Sequence, residues 1–205
     1  AGSREKAWGK EKHFREGQTK QILSDLFFDY LDLVGRLKPK VAIAENVKGM
    51  LLGNAKGYTK MVMARFKEIG YRPQLFLLNA ADCGVPQRRE RVFFVAIRDD
   101  IEAPPLKLAP KHRWISAGEA LSDLRSDLKT WEMVTASNQT HTLAGRTKPW
   151  PFTQPTPTLT AGSSKELIDS KKRFGDFTFA DYKRLGSFPD DYHAKTDKIG
   201  KYMIG

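Results

Sequence analysis

The chain is nearly devoid of cysteine: Cys83 is the only one in 205 residues. No intrachain disulfide is possible, and a reducing compartment is expected. Long apolar runs are missing as well. None reaches the ~20 residues of a membrane-crossing helix, and the N-terminal Ala1-Gly-Ser-Arg-Glu-Lys6 lacks the apolar region of a secretory signal. No repeat recurs at solenoid periods, and no metal site is expected. The cytoplasm, beside the nucleoid, is the expected location. Acidic residues are in deficit, with 24 Asp and Glu against 35 Lys and Arg, for a net charge of +11. That surplus points to a polyanionic partner, nucleic acid first.

What is present is punctuated in an orderly way. Residues 1–20 are polar and carry no apolar period. From Ile22, the residues Leu23, Leu26, Phe27, Tyr30, Leu31, Val34 and Leu37 recur at helical spacing, predicting an amphipathic helix of about four turns stopped by Pro39. Val41-Ala-Ile-Ala44 reads as a short buried strand ending in Glu45-Asn46-Val47. A loop with Gly49, Gly53 and Gly57 leads to a second helix over about 59–69, with Gly70 as its stop. Gln74–Leu78 is the next strand, 79–90 a loop, and Arg91–Ile97 another strand. Helix, strand, helix, strand, strand is the pattern of an open α/β sheet, whose chemistry lies beyond the carboxyl ends of its strands. Glu45 and the loop from Asn79 occupy such ends.

After Asp99 the composition turns Pro-rich and basic. Ser116 and Glu119 form a capping box for a short helix over 116–124. Residues 125–155 lack periodicity and mix basic with aromatic groups, among them Trp131, His141, Arg146, Lys148, Trp150 and Phe152. Arginine and lysine suit phosphates there, and aromatic rings can stack on bases. In Pro155-Thr-Pro-Thr-Leu-Thr160, the hydroxyls of Thr156, Thr158 and Thr160 recur at strand spacing, either facing a phosphate backbone or simply lining an edge strand. A further short helix is expected over 177–188, capped by Thr178.

Three groups stand out chemically. Glu45, at the end of a buried strand, is expected to be desolvated, which would raise its pKa and let it donate a proton or hydrogen bond; the plain alternative is a strand-end Glu paired with an Arg. Gln87, Arg89 and Arg91 sit at i, i+2 and i+4, so in an extended segment they face one way and can converge on a planar acceptor. Cys83 lies in the same loop without a neighbouring histidine in sequence, and reads as a small packing residue rather than a nucleophile.

Taken in chain order, these segments resemble the DNA (cytosine-5)-methyltransferase family. Lys40-Val-Ala-Ile-Ala-Glu-Asn-Val47 is similar to its Glu-Asn-Val motif. Gly84-Val-Pro-Gln-Arg-Arg-Glu-Arg91 is similar to Gly-Val-Pro-Gln-x-Arg-x-Arg, Pro157-Thr-Leu-Thr-Ala161 to x-Thr-Leu-Thr, and Arg184-Leu-Gly-Ser-Phe-Pro189 to Arg-Leu-Gln-x-Phe-Pro. Ile199 to Gly205 is similar to the opening of the last motif. The resemblance implies the later half of a Rossmann-like S-adenosylmethionine-dependent sheet over 1–98, a small irregular target-recognition region over 99–154, and a return segment to the catalytic domain over 155–205.

It also implies methyl transfer from S-adenosylmethionine to C5 of a cytosine flipped out of duplex DNA. Glu45 would contact N3 and the exocyclic amine, Arg91 would bind O2, and Arg89 would position Glu45. Asn46 and Gln87 would brace the loops, and Arg146, Lys148, Thr158 and Thr160 would contact DNA. The family's Gly-rich cofactor loop and Pro-Cys nucleophile loop do not occur in these 205 residues. The resemblance therefore implies either one subunit of a split enzyme, needing a second polypeptide with those loops, or part of a longer polypeptide. A non-catalytic DNA-binding or regulatory remnant is the competing reading.

Overall fold

The computed structural model describes residues 11–12, 21–22, 26–53, 55–109, 111–124, 130–133, 148–159, 165–169 and 172–205. Its contacts divide the chain into two compact units: residues 1–77 with 91–108, and residues 78–90 with 109–205.

In the first unit, the two-residue strands β1 (Glu11–Lys12) and β2 (Gln21–Ile22) pair antiparallel. Helix α1 (Leu26–Leu37) follows. The expected helix thus begins at Leu26, and Ile22 belongs to a strand. Leu31 and Val34 are buried on its inner face. The helix ends where Lys38 turns to positive φ, donating its N–H to the Val34 carbonyl at 2.8 Å. Pro39 then prevents continuation.

Strand β3 (Val41–Val47) is longer than expected and buried on one face only. Ala42 is buried, while Val41, Ile43, Glu45 and Val47 alternate on an exposed face. A four-residue apolar run looks the same in sequence whether one face or both are covered. Helix α2 (Ala55–Glu68) begins earlier than its apolar pattern suggests and ends at Gly70, whose φ of +89° a side chain rarely adopts. Strand β4 (Tyr71–Asn79) comes next, and β6 (Glu90–Arg98), last in sequence, is inserted between β3 and β4. β3 and β6 run antiparallel in register from Val41 opposite Ile97 to Val47 opposite Arg91.

The core lies on one side of this sheet, where Leu31, Val34, Val62 and Phe66 from the helices meet Ala42, Val92, Phe94 and Ala96. Phe27 packs edge-on to Phe94 with ring centroids 5.1 Å apart. Tyr71 donates its hydroxyl to the Pro39 carbonyl at 2.7 Å, fixing the entry to β3.

The second unit has its own core of Leu121, Phe152, Leu159, Phe177, Tyr182, Leu185 and Ile204. Strand β5 (Gln87–Arg88) pairs parallel with β9 (Thr156–Pro157). Helix α3 (Ala117–Ala120) carries the expected Ser116–Glu119 capping box, and α4 (Phe179–Leu185) carries a second one between Thr178 and Asp181. Helix α5 (Asp197–Ile204), capped by Thr196, has no counterpart in the sequence expectations. It crosses close to α4: a Cβ on Gly200 would overlap the Phe179 ring at Cε2 and Cζ.

The stretch expected to be irregular contributes strands. β7 (Thr130–Met133) and β8 (Lys148–Pro151) pair antiparallel, and β7 also pairs with β10 (Lys165–Asp169), itself paired with β11 (Lys172–Asp176). Residues 130–133 and 148–151 therefore share a sheet with residues 165–176. Strands of four or five residues are too short to leave a clear period.

Candidate active site

The register of β3 against β6 generates the central contact. Glu45 faces Phe93 and Val47 faces Arg91, so Glu45 and Arg91 are diagonal neighbours on one face of the antiparallel pair. The Arg91 Nε donates to Glu45 Oε1 at 2.8 Å. Glu45 is not desolvated as expected: it lies two residues inside the strand, on the open face, with its side chain 48% exposed. Arg91 is the more enclosed partner at 20%. The Arg91 guanidinium, a rigid fork of N–H donors, thus lies against the Glu45 carboxylate. A carboxylate and a guanidinium side by side on one strand pair present an acceptor beside donors, the kind of groups that can hydrogen-bond the polar edge of a nucleobase.

The other predicted residues belong to the second unit, apart from Asn46, whose Oδ1 accepts from the Val47 N–H at 2.8 Å. The expected single extended face through 87, 89 and 91 is interrupted, because β5 ends at Arg88 and β6 begins at Glu90. Gln87 is buried and its amide is spent internally. Its Nε2 donates to the Leu185 carbonyl at 3.4 Å, and its Oε1 accepts from the Leu159 N–H at 3.2 Å. Arg89 directs Nη1 to the carbonyls of Gly205 (3.3 Å) and Leu159 (3.5 Å). The Oδ1 of Asn79 closes the neck of the loop, accepting from the N–H groups of Ala81 and Arg89 at 3.2 Å each. Gly84, at φ +83°, makes the turn that returns the chain towards Pro86.

Thr158, expected at a phosphate, donates its hydroxyl to the Arg88 carbonyl at 2.8 Å. Thr156 is fully buried, with its hydroxyl on the Pro86 carbonyl at 3.2 Å. Lys148 is described only as backbone of β8; Arg146 and Thr160 lie outside the described residues. Cys83, expected to be a packed hydrophobe, is exposed. His112, remote in sequence, is spatially adjacent to that loop: its N–H donates to the Asp82 carbonyl at 2.8 Å.

Two residues that sequence reasoning passed over also shape the loop. Asp82 sits at its start, and Trp114 in the run Lys111-His-Arg-Trp114 reaches back to it. The only signal in sequence is an aromatic among basic residues.

Among the described residues, no group of three His, Cys, Asp or Glu is placed to hold a metal ion, and no helix is long and apolar enough to cross a membrane. The glycines after β3 do not form a cofactor cradle. A Cβ on Gly57 would meet nothing within 4 Å, and one on Gly49 only the Val47 side chain at 3.8 Å. Open space supplies no hydrogen-bonding groups, so these glycines do not by themselves make a site for S-adenosylmethionine.

Comparison with known proteins defines the class to which the chain belongs. Residues 7–142 match the family described as C-5 cytosine-specific DNA methylase, and the chain belongs to that family. It is 34% identical over 125 residues to Type II methyltransferase M.NgoFVII of Neisseria gonorrhoeae, covering 57% of this chain and 33% of that protein. It is 30% identical over 191 residues to Type II methyltransferase M.BspRI of Lysinibacillus sphaericus, covering 82% of this chain and 45% of that protein. The chain thus spans less than half the length of these curated relatives. Among solved structures, it resembles the Dnmt2 methyltransferase of S. pombe, with TM-score 0.55 and 17% identity over 87% of this chain and 66% of that one. It also resembles a variant of Spodoptera frugiperda DNMT2, with TM-score 0.58 and 15% identity over 95% and 70%. These two likenesses establish the Rossmann-like methyltransferase fold.

Proposed function

We propose that this chain supplies the base-holding half of a DNA (cytosine-5)-methyltransferase. The observation that carries the reading is the Arg91 Nε–Glu45 Oε1 contact of 2.8 Å on adjacent strands. Addition of a thiolate to C6 of cytosine drives electron density towards N3 and O2, making C5 nucleophilic. Arg91 on O2 stabilises the developing negative charge. One Glu45 carboxyl oxygen accepts from the exocyclic amine, and a proton held between the other oxygen and N3 neutralises the charge arriving at that nitrogen. Both groups act where charge appears, which is the most effective form of electrostatic catalysis. A base is presented to such groups only after it leaves the duplex stack.

S-adenosylmethionine supplies the methyl group in this reaction; its site and the nucleophilic thiol are assigned to a further segment or second polypeptide carrying the Gly-rich and Pro-Cys loops. Gln87, Arg89 and Asn79 hold the loop and the return segment, and Asn46 orders the end of β3. The residues between 99 and 154, with Arg146 and Lys148, meet the DNA duplex, and the net charge of +11 supplies phosphate affinity. The family match and the relatives' names as type II methyltransferases support action on DNA; the cytoplasm, at the nucleoid, is where such an enzyme would act.

The test is product analysis. Incubate the purified 205-residue chain with S-adenosylmethionine and sheared genomic DNA, with and without a polypeptide bearing the two missing loops. 5-Methylcytosine formed only in the complemented reaction is expected. Methylation by the chain alone, or at another position of the base in the complemented reaction, overturns the reading.

A further inference from the structure

The loop over 79–90 is gripped by the chain on both sides of the recognition region. Asp82 takes three hydrogen bonds from the segment that leaves for that region. Its Oδ1 accepts from the Trp114 indole Nε1–H at 2.8 Å, its Oδ2 from Lys111 Nζ at 2.8 Å, and its carbonyl from the His112 N–H at 2.8 Å. Arg88 grips the other side. Its guanidinium lies 4.8 Å from the centre of the Trp114 ring, and its Nη2 donates to Gln154 Oε1 at 3.1 Å, where the chain returns. Pairing of Arg88 with Pro157, and the Thr158 hydroxyl on the Arg88 carbonyl, fix that return.

Trp114 is not a core residue, since it is 43% exposed. Its single donor goes to a carboxylate and its ring face to a cation. The Lys111 ammonium is 77% exposed, so its ion pair adds little. The indole hydrogen bond and the ring–guanidinium contact carry the attachment. Hydrogen bonding from Lys111 first, and from Trp114 second, holds the Asp82 carboxyl below its usual pKa, so it stays ionised and accepting.

We propose that Asp82, Trp114 and Arg88 form a clasp that makes the position of the recognition region set the position of the loop leading into Arg89 and Arg91. The proposal rests on the methyltransferase reading. The three are positioning residues, acting through the arginines that follow Arg88 by one and three places in the chain. Docking of the recognition region on DNA then translates into the loop geometry that turnover requires, while phosphate contacts made elsewhere are unaffected.

Two measurements test it. In the complete enzyme acting on sheared genomic DNA, Asp82→Ala and Trp114→Leu are each expected to lower kcat about 10-fold, equivalent to about 1.4 kcal/mol. DNA affinity and its salt dependence should stay within about 3-fold of the parent. The double variant should lose little more than either single one, as for two halves of one contact. Trp114→Phe, which keeps the ring over Arg88, should recover part of the rate. Separately, the Trp114 indole N–H resonance of the 205-residue chain should shift on Asp82→Ala. This second readout needs no catalysis, so it reports on the clasp even if no methyl transfer occurs. Loss of DNA affinity with unchanged kcat would make Trp114 a DNA contact and overturn the proposal. Parallel loss of folding stability and rate, or an unmoved indole resonance, would overturn it too.

Discussion

Replacing Gln87 with Met removes both amide hydrogen bonds while keeping nearly the same volume, so cavity formation contributes little. Gln87 is only 3% exposed, and Leu159 and Leu185 are fully buried. The variant therefore strands the Leu159 N–H and the Leu185 carbonyl where water does not reach. An orphaned buried polar group costs about 1–3 kcal/mol. The Nε2–O distance of 3.4 Å marks the weaker bond and the N–Oε1 distance of 3.2 Å the stronger, so about 3 kcal/mol is expected for the pair. For a chain of this length each kcal/mol lowers Tm by about 2–4 °C, giving a fall of roughly 6–12 °C. Urea unfolding should show the same loss in midpoint with an unchanged slope. A change below about 0.5 kcal/mol would show that the amide does not brace the loop against the return segment. Assignment of Gln87 to support rather than to the base would then be refuted.

Two further outcomes follow from local geometry. Glu119 is held down to about 2, first by the Ser116 backbone N–H and then by Arg113 and the Ser116 hydroxyl. Its folded pKa lies below the unfolded value, so its stabilisation is present above about pH 4.5 and lost as pH falls towards 2. Glu119→Gln should flatten that part of the stability–pH curve, and an unchanged curve would contradict the cap. Gly200→Ala places a methyl group in the Phe179 ring and should cost about 1–3 kcal/mol through overpacking. Calorimetry showing no loss would mean that α4 and α5 are not packed as described.

Helix α1 is legible in the sequence because Leu26, Leu31, Val34 and their neighbours repeat at 3.6-residue spacing. The Ser116–Glu119 capping box and the Thr178 cap are legible because they are local signals, whereas the reciprocal part of Asp181 appears only in the structure. Glu45 and Arg91 are separately visible as candidates, but their contact depends on a strand register between positions 46 residues apart, which no local pattern encodes. The open face of β3 is hidden for a related reason: Val41 and Ile43 look like core residues until the helices are seen to cover only the other side. The sheet of β7, β8, β10 and β11 leaves no period because its strands are only four or five residues long. Gln87 illustrates the same limit. A glutamine between a proline and two arginines reads as exposed and available, whereas burial and two backbone partners make it a brace.

Turnover is expected to depend on Glu45. Its pair with Arg91 is diagonal and partly exposed, so it contributes only about 0.2–1 kcal/mol to stability, and its removal should leave the fold intact. The most direct measurement is the kcat and duplex affinity of Glu45→Gln in the complete enzyme, at one fixed salt concentration. A fall in kcat of about 100-fold or more is expected, with duplex affinity within about 3-fold of the parent. Retention of full turnover, or equal loss of turnover and binding, would contradict it.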